Sequence, residues 1–144
     1  MEIQLVPPHN HRINAAERAI STFKEHFVAA LATVDMLCPL QLWDEFLLQV
    51  KLTLNLLRFS RCNPLISANH ELHSQFDFKK TPLAPLGTKT LAYDDPATRT
   101  SWAPHATDGF YVGPAINHYQ CLHFFIPLTQ RFLFSDTWRL YPTY

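Results

Sequence analysis

With 144 residues, 47% of them apolar, the chain has room for one ordinary domain or two small ones and enough hydrophobic content for a packed core, which excludes a disordered tail. Lys and Arg total 12 and Asp and Glu total 12, so the formal net charge is zero; no global positive field marks a polyanion partner, and any nucleic-acid contact has to be local. Cys38, Cys62 and Cys121 form neither a zinc-spaced pair nor an even disulfide framework, which points to a reducing compartment, and the lack of a signal-peptide pattern or a bilayer-length apolar run predicts a soluble protein with no membrane partner.

In chain order, the first feature is Pro7-Pro8, which forces the preceding backbone to be extended, followed by a polar stretch to Asn14, a favoured helix N-cap. From residue 14 to about 34, Ile13, Ala16, Ile20, Phe23, Phe27, Ala30 or Leu31, and Val34 recur at three- and four-residue intervals, the stripe of an amphipathic helix. Its other face carries Glu17, Arg18, Ser21, Lys24 and Glu25. Pro39, favoured in a first helical turn, starts a second helix that runs to about residue 58 and whose many leucines predict burial. Asn63-Pro64 stops the helical pattern, residues 67–73 allow one short helix, and residues 81–87 form a proline-marked joint.

Beyond the joint the grammar changes to short strands, predicted over residues 88–93, 109–112, 119–126, 131–134 and 138–141. Asp95-Pro96, Gly113-Pro114 and Pro127-Leu128-Thr129 supply turns between them. The fold class is therefore α+β: a helical portion over residues 1–80, then a small barrel or strongly bent sheet over residues 81–144. There is no internal repeat and no low-complexity tract.

Pro7-Pro8, the polar stretch, Asn14, Ala15-Ala16 and Glu17-Arg18 closely resemble, in order and spacing, the segment carrying the third acidic residue of the integrase catalytic core in copia-type retrotransposon polyproteins. Trp102-Ala103-Pro104-His105, Gly109-Phe110-Tyr111-Val112-Gly113-Pro114, His118-Tyr119-Gln120-Cys121 and Asp136-Thr137 resemble the small Src-homology-like barrel that follows that core. Together the two resemblances span nearly the whole chain. They imply a partial RNase H-like integrase core with two long helices, followed by a small β-barrel.

The resemblance further implies an ancestral integrase, a metal-dependent DNA strand-transfer enzyme and endonuclease, acting in the nucleus. Glu17 would be its catalytic metal ligand, and Mg²⁺ or Mn²⁺, oxygen-seeking ions used in pairs for phosphoryl transfer, its cofactor. DNA would be the partner, contacted by Arg18, Lys24 and Asn14. The family's other two acids sit on strands that would precede Met1, so the implied site is incomplete and the chain inactive alone. Its partners would then be a second copy or the upstream part of the polyprotein. With most of the RNase H-like sheet missing, Trp43, Phe46, Leu47 and Val50 should form an exposed apolar patch.

Each candidate residue also has a plainer reading. Glu17 in a first turn simply suits the helix dipole, and Arg18, Ser21 and Lys24 can be an ordinary solvated face. Asp35, Asp44 and Asp77 have no spacing that suggests replacements for the upstream acids. His9 with His11, and His70 with His73, are spaced for a metal but lack further ligands, so exposed turn histidines are the simpler account. Trp102, His105, Tyr111, His118 and Tyr119 are either a base-stacking surface or aromatic core. A rival from another class is a non-catalytic nucleic-acid or protein interaction module, with the barrel half binding and the helical half driving oligomerisation. An unrelated small enzyme lacks support, because no Gly-rich phosphate loop, nucleophile elbow or Cys-His arrangement exists in a chain with three glycines.

Overall fold

The computed structural model describes residues 14–97 and 100–141. The chain is α+β: helices α1 (Ala15–Leu31), α2 (Trp43–Leu57) and α3 (Ala68–His73) precede strands β1 (Lys89–Tyr93), β2 (Ala106–Pro114), β3 (Leu122–Ile126), β4 (Arg131–Ser135) and β5 (Trp138–Tyr141).

Local chemistry sets the helix ends. Asn14 caps α1, its side-chain oxygen accepting from Ala16 N at 3.0 Å. The helix stops at Leu31, short of the predicted residue 34, because Thr33 N and Val34 N bond three residues back, to Ala30 O and Leu31 O, and Asp35 N turns away to Gly87 O. Pro39 caps a 3-10 turn over Leu40–Leu42, and α2 proper begins only at Trp43. Ser67 caps α3 by accepting from His70 N.

All strand pairs are antiparallel, in the order β4-β3-β2-β1-β5. Strand β2 extends well beyond the predicted residues 109–112, since it is central and pairs on both sides, with a register shift between Tyr111 and Gly113. Strand β3 starts later than predicted, at Leu122, because Gln120 takes a left-handed φ of 56° and gives its N–H to Lys80 O. Strands β4 and β5 lie at opposite edges although only Asp136 and Thr137 separate them. The chain crosses from one edge to the other in this short turn, and there the end of β4 reaches β1: Ser135 Oγ lies 3.2 Å from Tyr93 O and 2.9 Å from Thr137 O, while Tyr93 N donates to Thr137 O, so the sheet is strongly curled.

The core joins the helical and strand portions. Leu42, Phe46 and Val50 are buried in one cluster with Leu86, Ala92, Tyr111, Leu122 and Phe124. The expected exposed patch on α2 is thus corrected: Phe46 (1% exposed) and Val50 (0%) are covered, because the curled sheet supplies the apolar face that the missing one was expected to supply. Trp43 alone of the four is widely exposed, at 53%, and Leu47 is half-buried. A buried polar link fixes the packing: Tyr111 Oη donates to Gln49 Oε1 and Gln49 Nε2 donates to Ala84 O, both at 2.6 Å. Burial raises the Tyr111 phenol above its ordinary pKa, so it stays a donor.

Among the described residues no helix is long and apolar enough to cross a membrane.

Candidate functional site

Glu17 stands in the first turn of α1, exposed, directly after the Asn14 cap. Arg18 is exposed too and gives its backbone N–H to Asn14 O at 3.2 Å. At about 100° per residue, Ser21 and Lys24 fall on the same side of the helix as Glu17, whereas Arg18 is about a quarter-turn round. Lys24 lies roughly 10 Å further along the axis at 1.5 Å per residue, so Glu17 and Lys24 border a strip and not a single pocket. Ser21 Oγ donates to Glu25 Oε1 at 3.2 Å. No residue of α1 is fully buried, which leaves this whole strip open to solvent.

The other acids serve local turns. Asp35 Oδ1 accepts from Leu37 N, Asp44 Oδ1 from Glu45 N, and Asp77 Oδ1 from Lys79 N and Lys80 N. His70 and His73 are exposed on α3, a helix of six residues; His9 and His11 lie outside the described residues. Among the described residues no group of three His, Cys, Asp or Glu side chains is placed to hold a metal ion. A single carboxylate does not make a two-metal centre, which needs several oxygen ligands around each ion, so the residues described here do not fit the implied Mg²⁺ pair by themselves.

Two of the three thiols are held in the protonated form. Burial pushes Cys38 up to about 11, aided by the charge of Asp35, and burial with the Asp136 charge raises Cys121, so both stay protonated near neutrality. Cys38, Cys62 and Cys121 are all free.

The aromatic residues divide. Tyr111 is core, at 0% exposure, while Trp102 stands out at 99% and Tyr119 at 66%; His105 and His118 are exposed as well. Sequence reasoning missed the more ordered aromatic feature, a ladder across β3 and β4. His123 pairs with Phe134 and Phe125 with Phe132 in register, so their side chains share one face. The rings of His118, Phe134 and His123 stack in turn, with centroids 5.0 and 4.4 Å apart, and Phe132 leans on His123 at 5.0 Å. Phe132 and Phe134 remain about half exposed. Part of the signal was present in the sequence: Phe132 and Phe134 stand two residues apart in a predicted strand and so share a face. On β5, Arg139 lies over the Tyr141 ring at 5.5 Å, adding a cation to another exposed aromatic.

Comparison with protein families, with characterised proteins and with solved structures gives no match.

Proposed function

We propose that this chain is the C-terminal portion of a copia-type retrotransposon integrase: the end of an RNase H-like catalytic core, then a small Src-homology-like barrel. Its function belongs to DNA integration and nucleic-acid binding, and on its own it is catalytically inactive. The observation that carries this reading is the motif around Glu17: the acid occupies the first turn of an Asn-capped helix on an exposed face that it shares with Lys24. A meander of four strands whose fifth returns to pair with the first, with the end of β4 bonded to β1, supports the small-barrel part. In the complete site Glu17 would supply one oxygen ligand, and the metal ions would stabilise the attacking and leaving oxygens of the DNA phosphate. Arg18 and Lys24 would hold the DNA backbone, and Asn14 fixes the turn that presents Glu17.

A second reading, a nucleic-acid-binding module with no catalytic role, is favoured by the His118–Phe134–His123 stack and exposed Phe132, since single strands stack their bases on such rings. One experiment separates the two. The purified chain is assayed for binding of single- and double-stranded DNA and for Mg²⁺-dependent nicking, with Glu17→Gln and Phe134→Ala variants. The integrase reading expects no nicking from these residues alone and restored, Glu17-dependent nicking when a chain carrying two further strand-borne aspartates is supplied. A module expects Mg²⁺-independent binding of single strands that Phe134→Ala weakens roughly tenfold, in line with about 1–3 kcal/mol per stacked base, and Glu17→Gln leaves alone. No restoration under any complementation sinks the integrase reading.

A further inference from the structure

The groove between α2 and the segment after α3 has no part in either reading. It encloses about 550 Å³, within the range of roughly 300–1,000 Å³ typical of small-molecule sites. Leu48 and Leu52, one turn apart on α2, face it together with Ile116 and the half-buried Phe76, so its walls are apolar. Set into them is Asn69, only 5% exposed, whose side-chain carboxamide has no hydrogen-bond partner among the described residues. Its polar atoms are not sealed off, since Trp138 Nε1 is the one buried polar side-chain atom without a partner among the described residues, so the carboxamide is open to a ligand that enters the groove. The charge at the groove is positive on balance. Lys51 and Lys80 line it, against Asp77, whose Oδ1 already accepts two backbone N–H bonds.

We propose that this groove binds a small ligand of the mononucleotide class, a planar base carrying a phosphate. The base lies between the Leu48–Leu52 wall and Phe76. A carboxamide gives and accepts one hydrogen bond at once, which matches the donor and acceptor edge of adenine, so Asn69 reads the base. Lys51 and Lys80 take the phosphate. A purely apolar ligand would leave Asn69 unpaired, and a bare anion would leave the apolar walls wet. None of the α1 residues lines the groove, so the proposal stands apart from the integrase reading.

The test titrates the full chain, ¹⁵N-labelled, with AMP, adenosine and inorganic phosphate and follows amide shifts by NMR. A saturable AMP response that includes the Asn69 side-chain NH₂ is expected, with adenosine and phosphate each at least tenfold weaker. Asn69→Leu should weaken AMP at least tenfold without lowering the melting temperature, since it breaks no side-chain hydrogen bond among the described residues. Lys80→Glu, an exposed substitution that tests the same site if Asn69→Leu fails to fold, should cut AMP affinity several-fold and leave adenosine unchanged. An AMP response that does not saturate, that maps elsewhere, or that either folded variant leaves intact overturns the proposal, as does phosphate alone binding as tightly as AMP.

Discussion

The Gln49 carboxamide ties α2 to both β2 and the 81–87 joint, and its removal gives the sharpest test of how the helical and strand portions cohere. Tyr111→Phe deletes one hydroxyl but leaves Gln49 Oε1 buried and unpaired; an orphaned buried acceptor costs about 1–3 kcal/mol. Gln49→Leu strands two groups, the Tyr111 hydroxyl and Ala84 O, so its cost is roughly twice that, about 2–5 kcal/mol. In the double variant the orphaned hydroxyl is gone and Ala84 O remains, so the double costs about as much as Tyr111→Phe alone, and the cycle should show a coupling close to the cost of Gln49→Leu, about 2–5 kcal/mol. Urea denaturation followed by Trp fluorescence and by far-UV circular dichroism measures both the losses and whether the probes coincide. At about 3 °C per kcal/mol for a chain of this size, Tyr111→Phe should also lower the melting temperature by roughly 3–9 °C. Singles within about 0.5 kcal/mol of the parent, or a double that is additive to that margin, would refute the claim that this link organises the core.

Two further predictions concern the sheet. In Gly109→Ala the added Cβ would stand 2.8 Å from Ile126 Cδ1 and 2.9 Å from Phe125 O, and the backbone oxygen cannot swing aside; a loss of about 1–3 kcal/mol in thermal melts is expected, and a neutral result would contradict the tight β2–β3 approach. Burial lowers the His123 imidazole below its ordinary value of 6.5, so the unfolded chain binds protons that the folded chain resists. Stability that is full above about 6.5 should fall as the pH drops through the folded value, and His123→Phe, which keeps the ring stack, should flatten that acid limb in melts taken between about pH 8 and 5. An unchanged limb would show that His123 is not the group responsible.

Most of the secondary structure was legible because its signals are local. Asn14 caps α1 as its residue type leads one to expect, and strands β4 and β5 lie within a residue of the bounds predicted for them. What the sequence hid was pairing at long range. Nothing near Phe46 or Val50 announces that a sheet some sixty residues later will cover them, and nothing near Gly109 says that β2 will be flanked on both sides and so extend to Pro114. The site divides the same way. Glu17, Arg18 and Lys24 were readable from motif and helix period, and their exposure on α1 follows from that period. The spacing of Phe132 and Phe134 was readable, but their stacking with His123 depends on cross-strand register, and the placing of Asn69 depends on a groove built by two helices and a loop, so neither arrangement was accessible from residue order.

If the proposed integrase reading holds, helix α1 explains why an acid in the right motif does not amount to a working site. Phe23, Phe27, Ala30 and Leu31 lean on the core and His26 lies 3.0 Å from Thr53, so the C-terminal half of the helix is the attached half. Toward the N-terminus Ile20 is 54% exposed, and the turn that holds Glu17 packs no fully buried residue. Seventeen residues are close to the length at which an isolated helix is marginal in water, so the order of that first turn depends on packing more than on propensity. Ligands of a two-metal centre have to be held to within about 0.5 Å, on elements locked by their surroundings. An added element that brings the remaining carboxylates would also need to cover Ile20 and its neighbours, and the same contact would then complete the metal ligands and fix Glu17 in place. Catalytic competence and the ordering of α1 are in this way one event. This is why Glu17→Gln should change little in these residues alone and much once they are complemented.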